Sequence, residues 1–285
     1  MIKLKMTCAL NNLLLLITTG AEETGKKAAE QGAPELPNFI SLLYERYGRT
    51  ALVHFLHTWQ NVVFSLIIIL ILGFVAYFSS RRKTLLPGKL QNLMEMAVES
   101  LDNFICGILG PRGRKFTPFL GTLFIYILCM NFLGLIPGMK SPSSSINTTV
   151  ALAICVFLYV QFTGIRNLGI VGYLDHLAGN PRDFITWALV PINLPIHIIG
   201  ELAKPMSLSL RLFGNITGED ILIAVFVSLG VMALSFLNLP VGLPLQVPFI
   251  FLALLTGTIQ ALVFTLLSTI YFLLMFPHEE EKHST

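Results

Sequence analysis

The chain has 285 residues, of which 54% are hydrophobic and 12% charged, with a formal net charge of +3. Soluble domains carry about 25% charged residues, so the composition points to a membrane protein. A net charge this small and scattered excludes a nucleic-acid partner. The four cysteines, at 8, 106, 129 and 155, have no paired spacing and read as apolar packing residues rather than metal ligands or disulfides. No phosphate-binding glycine loop or internal repeat is present, and no cofactor is expected.

In chain order, Lys3 and Lys5 precede an apolar run from Met6 to Thr19. That pattern fits a signal-like segment over residues 1–21, and equally an interfacial N-terminal segment of the mature chain. Residues 20–50, rich in Glu, Lys, Gly and Pro, read as a solvated arm, so that 1–57 forms an N-terminal outer region. Thr58 to Ser80 is free of charge, long enough to span a bilayer core, and ends at Arg81–Lys83, which places that end in the cytoplasm.

Residues 84–115 then read as cytoplasmic. Leu93, Met94, Ala97, Val98, Leu101, Phe104 and Ile105 recur at helical spacing there, which predicts an amphipathic helix lying on the membrane or on a partner. Phe116 to Met139 is the second expected span, and Ser141 to Ile165 contains the third, completing a three-span region over 58–169. "PGMKSPSSSINTT" between them has the turn-formers of an outer loop. Arg166 and Arg182 flank the next inner loop.

From Trp187 to Phe236 the chain is one largely apolar stretch, interrupted by Glu201, Lys204, Arg211, Glu219 and Asp220. As a continuous helix it would be about 75 Å long, against a hydrocarbon core of about 30 Å. Two readings follow: two short spans around a watery loop, or one long, strongly tilted helix. A last apolar run, Pro248 to Phe276, follows the breaker-rich "NLPVGLPLQVP". Together with the long stretch it makes a C-terminal hairpin over 170–285, ending in a cytoplasmic tail.

Arg211 stands alone: from Pro205 to Gly218, fourteen residues, no other charge occurs. At about 100° per residue, Lys204 falls about +20° from Arg211, Ser207 about −40°, Asn215 about +40° and Gly218 about −20°. Glu201 and Glu219 both fall near about +80°, whereas Asp220 lies on the opposite side. One face is therefore small and polar with a lone guanidinium on it. Mid-membrane arginine costs about 2.5–3.5 kcal/mol on insertion scales and marks an ion path or a paired charge; the other reading is a snorkelling or loop arginine. Lys204 and Glu201 are spaced to pair, and His197 stands beside a span end. In the last helix Ala253, Thr256, Gly257, Gln260, Ser268 and Tyr271 share a matching side, as if both helices faced something that slides or docks.

"KPMSLSLRLFGN" (Lys204 to Asn215) resembles subunit a of the membrane sector of bacterial F-type ATP synthases. "MNFLGLIPG" (Met130 to Gly138), "INTTVALA" (Ile146 to Ala153) and "IQALVFTLLSTIY" (Ile259 to Tyr271) resemble that family's other signatures, in the same order. The resemblance implies an all-α polytopic membrane protein of about five membrane helices, with a long tilted C-terminal hairpin around a ring of c subunits and a cytoplasmic amphipathic helix. It implies a multi-pass protein of the bacterial inner membrane, N-terminus outside and C-terminus cytoplasmic, partnered by the c-ring, the peripheral-stalk b subunit and the rest of the complex. The implied function is ion translocation, with protons as the ion and no bond chemistry on this chain. Two aqueous half-channels serve the rotor carboxylates, and Arg211 separates them and promotes deprotonation.

By position the resemblance assigns Asn215 and Gln260 as polar neighbours of Arg211, Asp220 or Glu219 as the half-channel acid, and Asn131 as a half-channel polar group. His197, Glu201 and Ser207 are further candidates. The chain departs from relatives at three places: Ala253 where many have His or Glu, Gly134 where some have Asp, and His197 where some have Glu. A stand-alone secondary ion transporter or channel using an intramembrane arginine is the alternative reading. It would more often show an internal repeat or paired interrupted helices.

Overall fold

The computed structural model describes residues 38–47, 51–81, 89–178, 184–235 and 244–276. Among them every regular element is helical: α1 (Phe39–Tyr47), α2 (Ala51–Thr58), α3 (Gln60–Arg81), α4 (Lys89–Leu109), α5 (Thr117–Gly134), α6 (Ile146–Ala178), α7 (Phe184–Ser235) and α8 (Val247–Leu274). Short 3-10 turns occupy Gly110–Lys115 and Pro142–Ser144. A bilayer offers no partner to backbone N–H and C=O groups, so an apolar chain satisfies them within helices. Five segments are long and apolar enough to cross a membrane: Gln60–Phe78, Thr117–Gly134, Ile146–Gly169, Val190–Gly230 and Val247–Leu274. The chain is an all-α polytopic membrane protein.

The ambiguous stretch resolves into a single element. Helix α7 runs 52 residues and carries Pro191, Pro195 and Pro205 in its interior, so the reading of two spans around a loop falls. Each proline removes one donor and crowds the carbonyl four residues back; breaking the helix in lipid would leave many more backbone groups unpaired. Helix α6 is interrupted instead. Gly169 has φ 73° and ψ 166°, a backbone that L side chains rarely adopt. There the chain turns, so that residues 170–178, expected as loop, form a second helical segment.

The described chain divides into two compact units. The larger comprises Pro37–Glu219 and the chain from Pro248; the smaller contains Asp220–Val247. The larger has one core, drawn from Ile68 of α3, Ile105 of α4, Leu120, Ile127 and Met130 of α5, Val156 of α6, Leu208 and Leu212 of α7, and Phe264 and Phe272 of α8. Leu208, Leu212 and Ile216 recur every fourth residue and bury one side of α7. In contrast, Ile69, Leu70, Ile71 and Phe74 of α3 are more than half exposed, the pattern of a helix whose outer faces meet lipid. In the smaller unit the Ser228 hydroxyl donates to the carbonyl of Ala224 at 2.9 Å, the usual way such a group is satisfied inside a helix.

The amphipathic segment takes a partner within the chain. Ile105 and Leu109 of α4 are buried, and Asp102 accepts from Thr117 Oγ1 at 2.6 Å and pairs with Arg114 Nε at 3.3 Å. That hydrogen bond, with the Arg114 charge, holds the Asp102 carboxyl below the usual carboxylate range. Part of the expected arm also packs. Asn38 caps α1, with Ser41 N donating to its Oδ1 at 2.7 Å, and Phe39 N donates to Gly138 O at 2.8 Å. The signal-like run, Arg82, Lys83, Arg182 and the C-terminal tail lie outside the described residues.

Candidate functional site

The stripe expected from helical spacing is outward-facing in part: Lys204 is half-buried and turns in to Glu201 and Tyr271. Ser207, Arg211, Asn215 and Gly218 are all exposed, while Leu208, Leu212 and Ile216 on the other side of α7 are buried. A Cβ added at Gly200, Gly214 or Gly218 would meet nothing within 4 Å. The face around the guanidinium is therefore shallow and open to close approach by another helix. Among the described residues no carboxylate forms an ion pair with Arg211.

On the N-terminal side of Arg211, four helical segments bring polar groups together. Glu201 pairs with Lys204 one turn on. The Glu201 carboxylate also accepts from Gln161 Nε2 of α6 at 3.1 Å, and Gln161 in turn accepts a hydrogen bond from the Tyr173 hydroxyl. The turn at Gly169 is what returns Tyr173 to Gln161. Lys204 Nζ sits 5.4 Å from the ring centroid of Tyr271 on α8, a cation–π distance. The Tyr271 phenol lies within electrostatic reach of both Arg211 and Glu201.

On the other side of Arg211 a second polar group is assembled from α5, α8 and the turn before α6. Asn131 Nδ2 donates to Gly257 O at 3.0 Å, and Ser143 Oγ donates to Asn131 Oδ1 at 2.8 Å. Ser141 and Ser143 share a hydrogen bond of 2.7 Å, and Ser141 Oγ also reaches Met130 O at 2.8 Å. Asn131, Ser141 and Ser143 are all nearly inaccessible. Further along, the Glu219 carboxyl lies against the Thr256 hydroxyl. Glu219 Oε1 and Gln260 Nε2 are buried without a hydrogen-bond partner. Glu201 and Glu219 are about 15 Å and about 12 Å along the helix axis from Arg211, on opposite sides of it.

The remaining candidates separate. His197 is exposed and joins neither group. Asp220 opens the smaller unit, half-buried and with an interaction of its own. The expected outward face of α8 is corrected: Ala253, Gly257, Gln260 and Ser268 are buried. The small residues serve packing within the subunit, and a Cβ at Gly257 would come to 3.3 Å from that of Asn131. Two departures from relatives gain a steric reason. A Cβ on Gly134 would lie 2.7 Å from Ser141 Cβ and 3.3 Å from its backbone N, so an aspartate does not fit under this turn. Ala253 is 3% exposed, which leaves little room for a longer side chain.

Sequence reasoning passed over Gln161, Tyr173, Ser141 and Ser143. Gln161 was the one signal within reach, an amide inside an otherwise apolar span. The serines read only as turn-formers.

Residues 62–273 match the family model described as ATP synthase A chain. The chain is 53% identical over 254 residues to "ATP synthase subunit a" of Protochlamydia amoebophila, covering 89% of this chain and 94% of that one. It is 41% identical to the subunit a of Solidesulfovibrio magneticus, over 74% of this chain and 82% of the relative. It is 39% identical to "ATP synthase subunit a 1" of Syntrophotalea carbinolica, over 80% and 86%. With five membrane-spanning candidates, one open guanidinium stripe and similarity over nearly the whole length of the first relative, the chain belongs to the ATP synthase subunit a family, membrane components of the Fo sector that act in complex with other ATP synthase subunits.

Proposed function

We propose that this chain is the non-catalytic, proton-translocating stator of its ATP synthase, and that a ring of c subunits turns against the open face of α7. The observation that carries the reading is Arg211, exposed on a stripe of small residues, unpaired with any described carboxylate, and set between two polar groups on either side of it. A mobile carboxylate on a rotor helix is the chemistry that such a face accepts. Ser207, Gly214 and Gly218 let the rotor backbone approach, and Asn215 supplies an amide beside the guanidinium.

In this mechanism protons enter by one half-channel, neutralise a rotor carboxylate, and let it rotate through lipid. They leave by the other. Glu219, Asp220, Gln260 and Asn131 belong to the outer path; the buried atoms of Glu219 and Gln260 that lack partners are places for water. Glu201, with Lys204, Gln161, Tyr173 and Tyr271 around it, belongs to the inner path. Arg211 stays charged at any physiological pH, so an arriving carboxylate is drawn into its ionised form and a proton cannot pass directly between the paths. The driving energy is about 2.3 kcal/mol per charge per 100 mV. The cationic runs at Arg81–Lys83, Arg112–Lys115 and Arg166 support an orientation with these ends in the cytoplasm of a bacterium, the N-terminus outside and the C-terminus inside. The hairpin of α7 and α8 is tilted in the membrane, and a b subunit holds the chain to the peripheral stalk.

The test is disulfide trapping in the assembled complex. Single cysteines at Ser207, Asn215 and Gly218 are paired with cysteines along the carboxylate-bearing helix of the c subunit. Cross-links at these positions, and none from Leu208 or Leu212 on the buried side, are expected. Equal trapping from both sides of α7, or trapping from neither, would refute the docking face.

A further inference from the structure

Where α5 begins and the first segment of α6 and helix α8 end, a cavity of about 520 Å³ opens at the side of the larger unit. Three cations line it: Arg112 and Lys115 from the 3-10 turn, and Arg166 from the turn of α6 before Gly169. Among the described residues no carboxylate lines it. Arg114, the other cation of that turn, is held by Asp102 at 3.3 Å and stays outside the cavity. Behind the cations the wall is aromatic. Phe116 packs against Tyr159 and Phe276 with ring centroids 6.1 and 5.9 Å apart.

The level of this cavity matters. Lys115 stands just before the span Thr117–Gly134 with one residue between, Arg166 falls near the end of Ile146–Gly169, and Phe276 lies just past Val247–Leu274 with one residue between. Three span ends thus converge on it, at the boundary where hydrocarbon gives way to headgroups, with cations on the wet side and rings on the apolar side. Its size is that of an ordinary ligand pocket, about 300–1,000 Å³. Guanidinium groups match the oxygens of a phosphate with paired hydrogen bonds, and a lysine adds a point charge.

We propose that this cavity binds the headgroup phosphate of an anionic membrane phospholipid. The charges of Lys115 and Arg166 take the phosphate, and the rings of Phe116, Tyr159 and Phe276 take the glycerol and first methylenes. None of these residues belongs to the Arg211 stripe or to either polar group, so the site stands apart from the ion path. Basic pockets between membrane helices favour such headgroups.

The test uses the intact ATP synthase in vesicles containing phosphatidylglycerol and a trace of phosphatidylglycerol with a photoactivatable diazirine near the glycerol end of one acyl chain. After illumination, adducts are mapped by peptide mass spectrometry. They are expected to concentrate on the peptides holding Phe116, Tyr159 and Phe276. Excess unlabelled phosphatidylglycerol should remove them and inorganic phosphate should not. Lys115→Gln and Arg166→Gln should each lower the labelling about fivefold, in complexes whose ATP-driven pumping verifies assembly. Adducts spread evenly over all spans, or unchanged in both variants, would overturn the proposal. So would competition by inorganic phosphate, which marks a soluble-anion site, or labelling absent from these peptides because another subunit covers the cavity.

Discussion

Replacing Asn131 with alanine tests whether the buried amide network is what joins α5 to α8. The side chain is 5% exposed and makes two hydrogen bonds, to Gly257 O at 3.0 Å and from Ser143 Oγ at 2.8 Å. Its partners are not stranded outright, because Ser143 retains Ser141 and Gly257 O retains its helical bond. Each lost bond therefore falls near about 1 kcal/mol. The space left beside Gly257 adds a cavity cost, for a total of about 2–3 kcal/mol. Ser143→Ala leaves Asn131 Oδ1 unpaired and costs about 1–2 kcal/mol. The double variant should cost less than the sum of the two, with a coupling of about 0.5–1.5 kcal/mol. The assay is the temperature at which this subunit leaves the purified complex, read on native gels, expected to fall by several degrees in Asn131→Ala. A change within about 0.5 kcal/mol of the parent, or strict additivity with Ser143→Ala, would refute the network as a clamp.

Two further predictions concern charges. Cys106 Sγ lies 3.7 Å from Asp102 Oδ1, and burial together with that carboxylate pushes the thiol above its ordinary range. Asp102→Asn removes the carboxylate's part, so the thiolate fraction at mildly alkaline pH rises and maleimide labelling of Cys106 quickens; slower or unchanged labelling across pH 7 to about 9 would contradict it. Because the folded Asp102 carboxyl lies below its unfolded value, its stabilising effect is present above about pH 4 and is lost as pH falls further. Glu201→Gln keeps an acceptor for Gln161 but leaves Lys204 without its counter-charge, and ATP-driven pumping should fall about tenfold or more with assembly intact. Pumping at the parental rate would remove Glu201 from the inner path.

Much of this architecture was legible because lipid enforces a simple rule. Charge-free runs became α3, α5 and the first segment of α6 near the expected limits. Steps of about 100° put Ser207, Arg211, Asn215 and Gly218 on one exposed side of α7 but not Lys204, which turns in to Glu201 and Tyr271. The rest was not readable for physical reasons. Prolines that would end a helix in water left α7 unbroken, since no solvent rewards the break. The chain reversal fell at Gly169, a glycine indistinguishable in the sequence from Gly164 or Gly172 that keep ordinary backbones. Spacing on α8 identified its small, polar side but not whether that side met a rotor or α5. Only the depth of Gly257 against Asn131 decides for α5. The polar groups around Glu201 and Asn131 bring together residues from α5, α6, α7 and α8, contacts that no local pattern encodes.

The most direct measurement is ATP-driven proton pumping in inverted membrane vesicles carrying Arg211→Ala, with the assembled complex verified by immunoblot. Pumping should vanish while assembly survives, because the rotor carboxylate loses the fixed cation that discharges it and separates the two paths. Pumping at the parental rate would mean that the exposed guanidinium of α7 plays no part at the rotor, and would contradict the proposed mechanism for this chain.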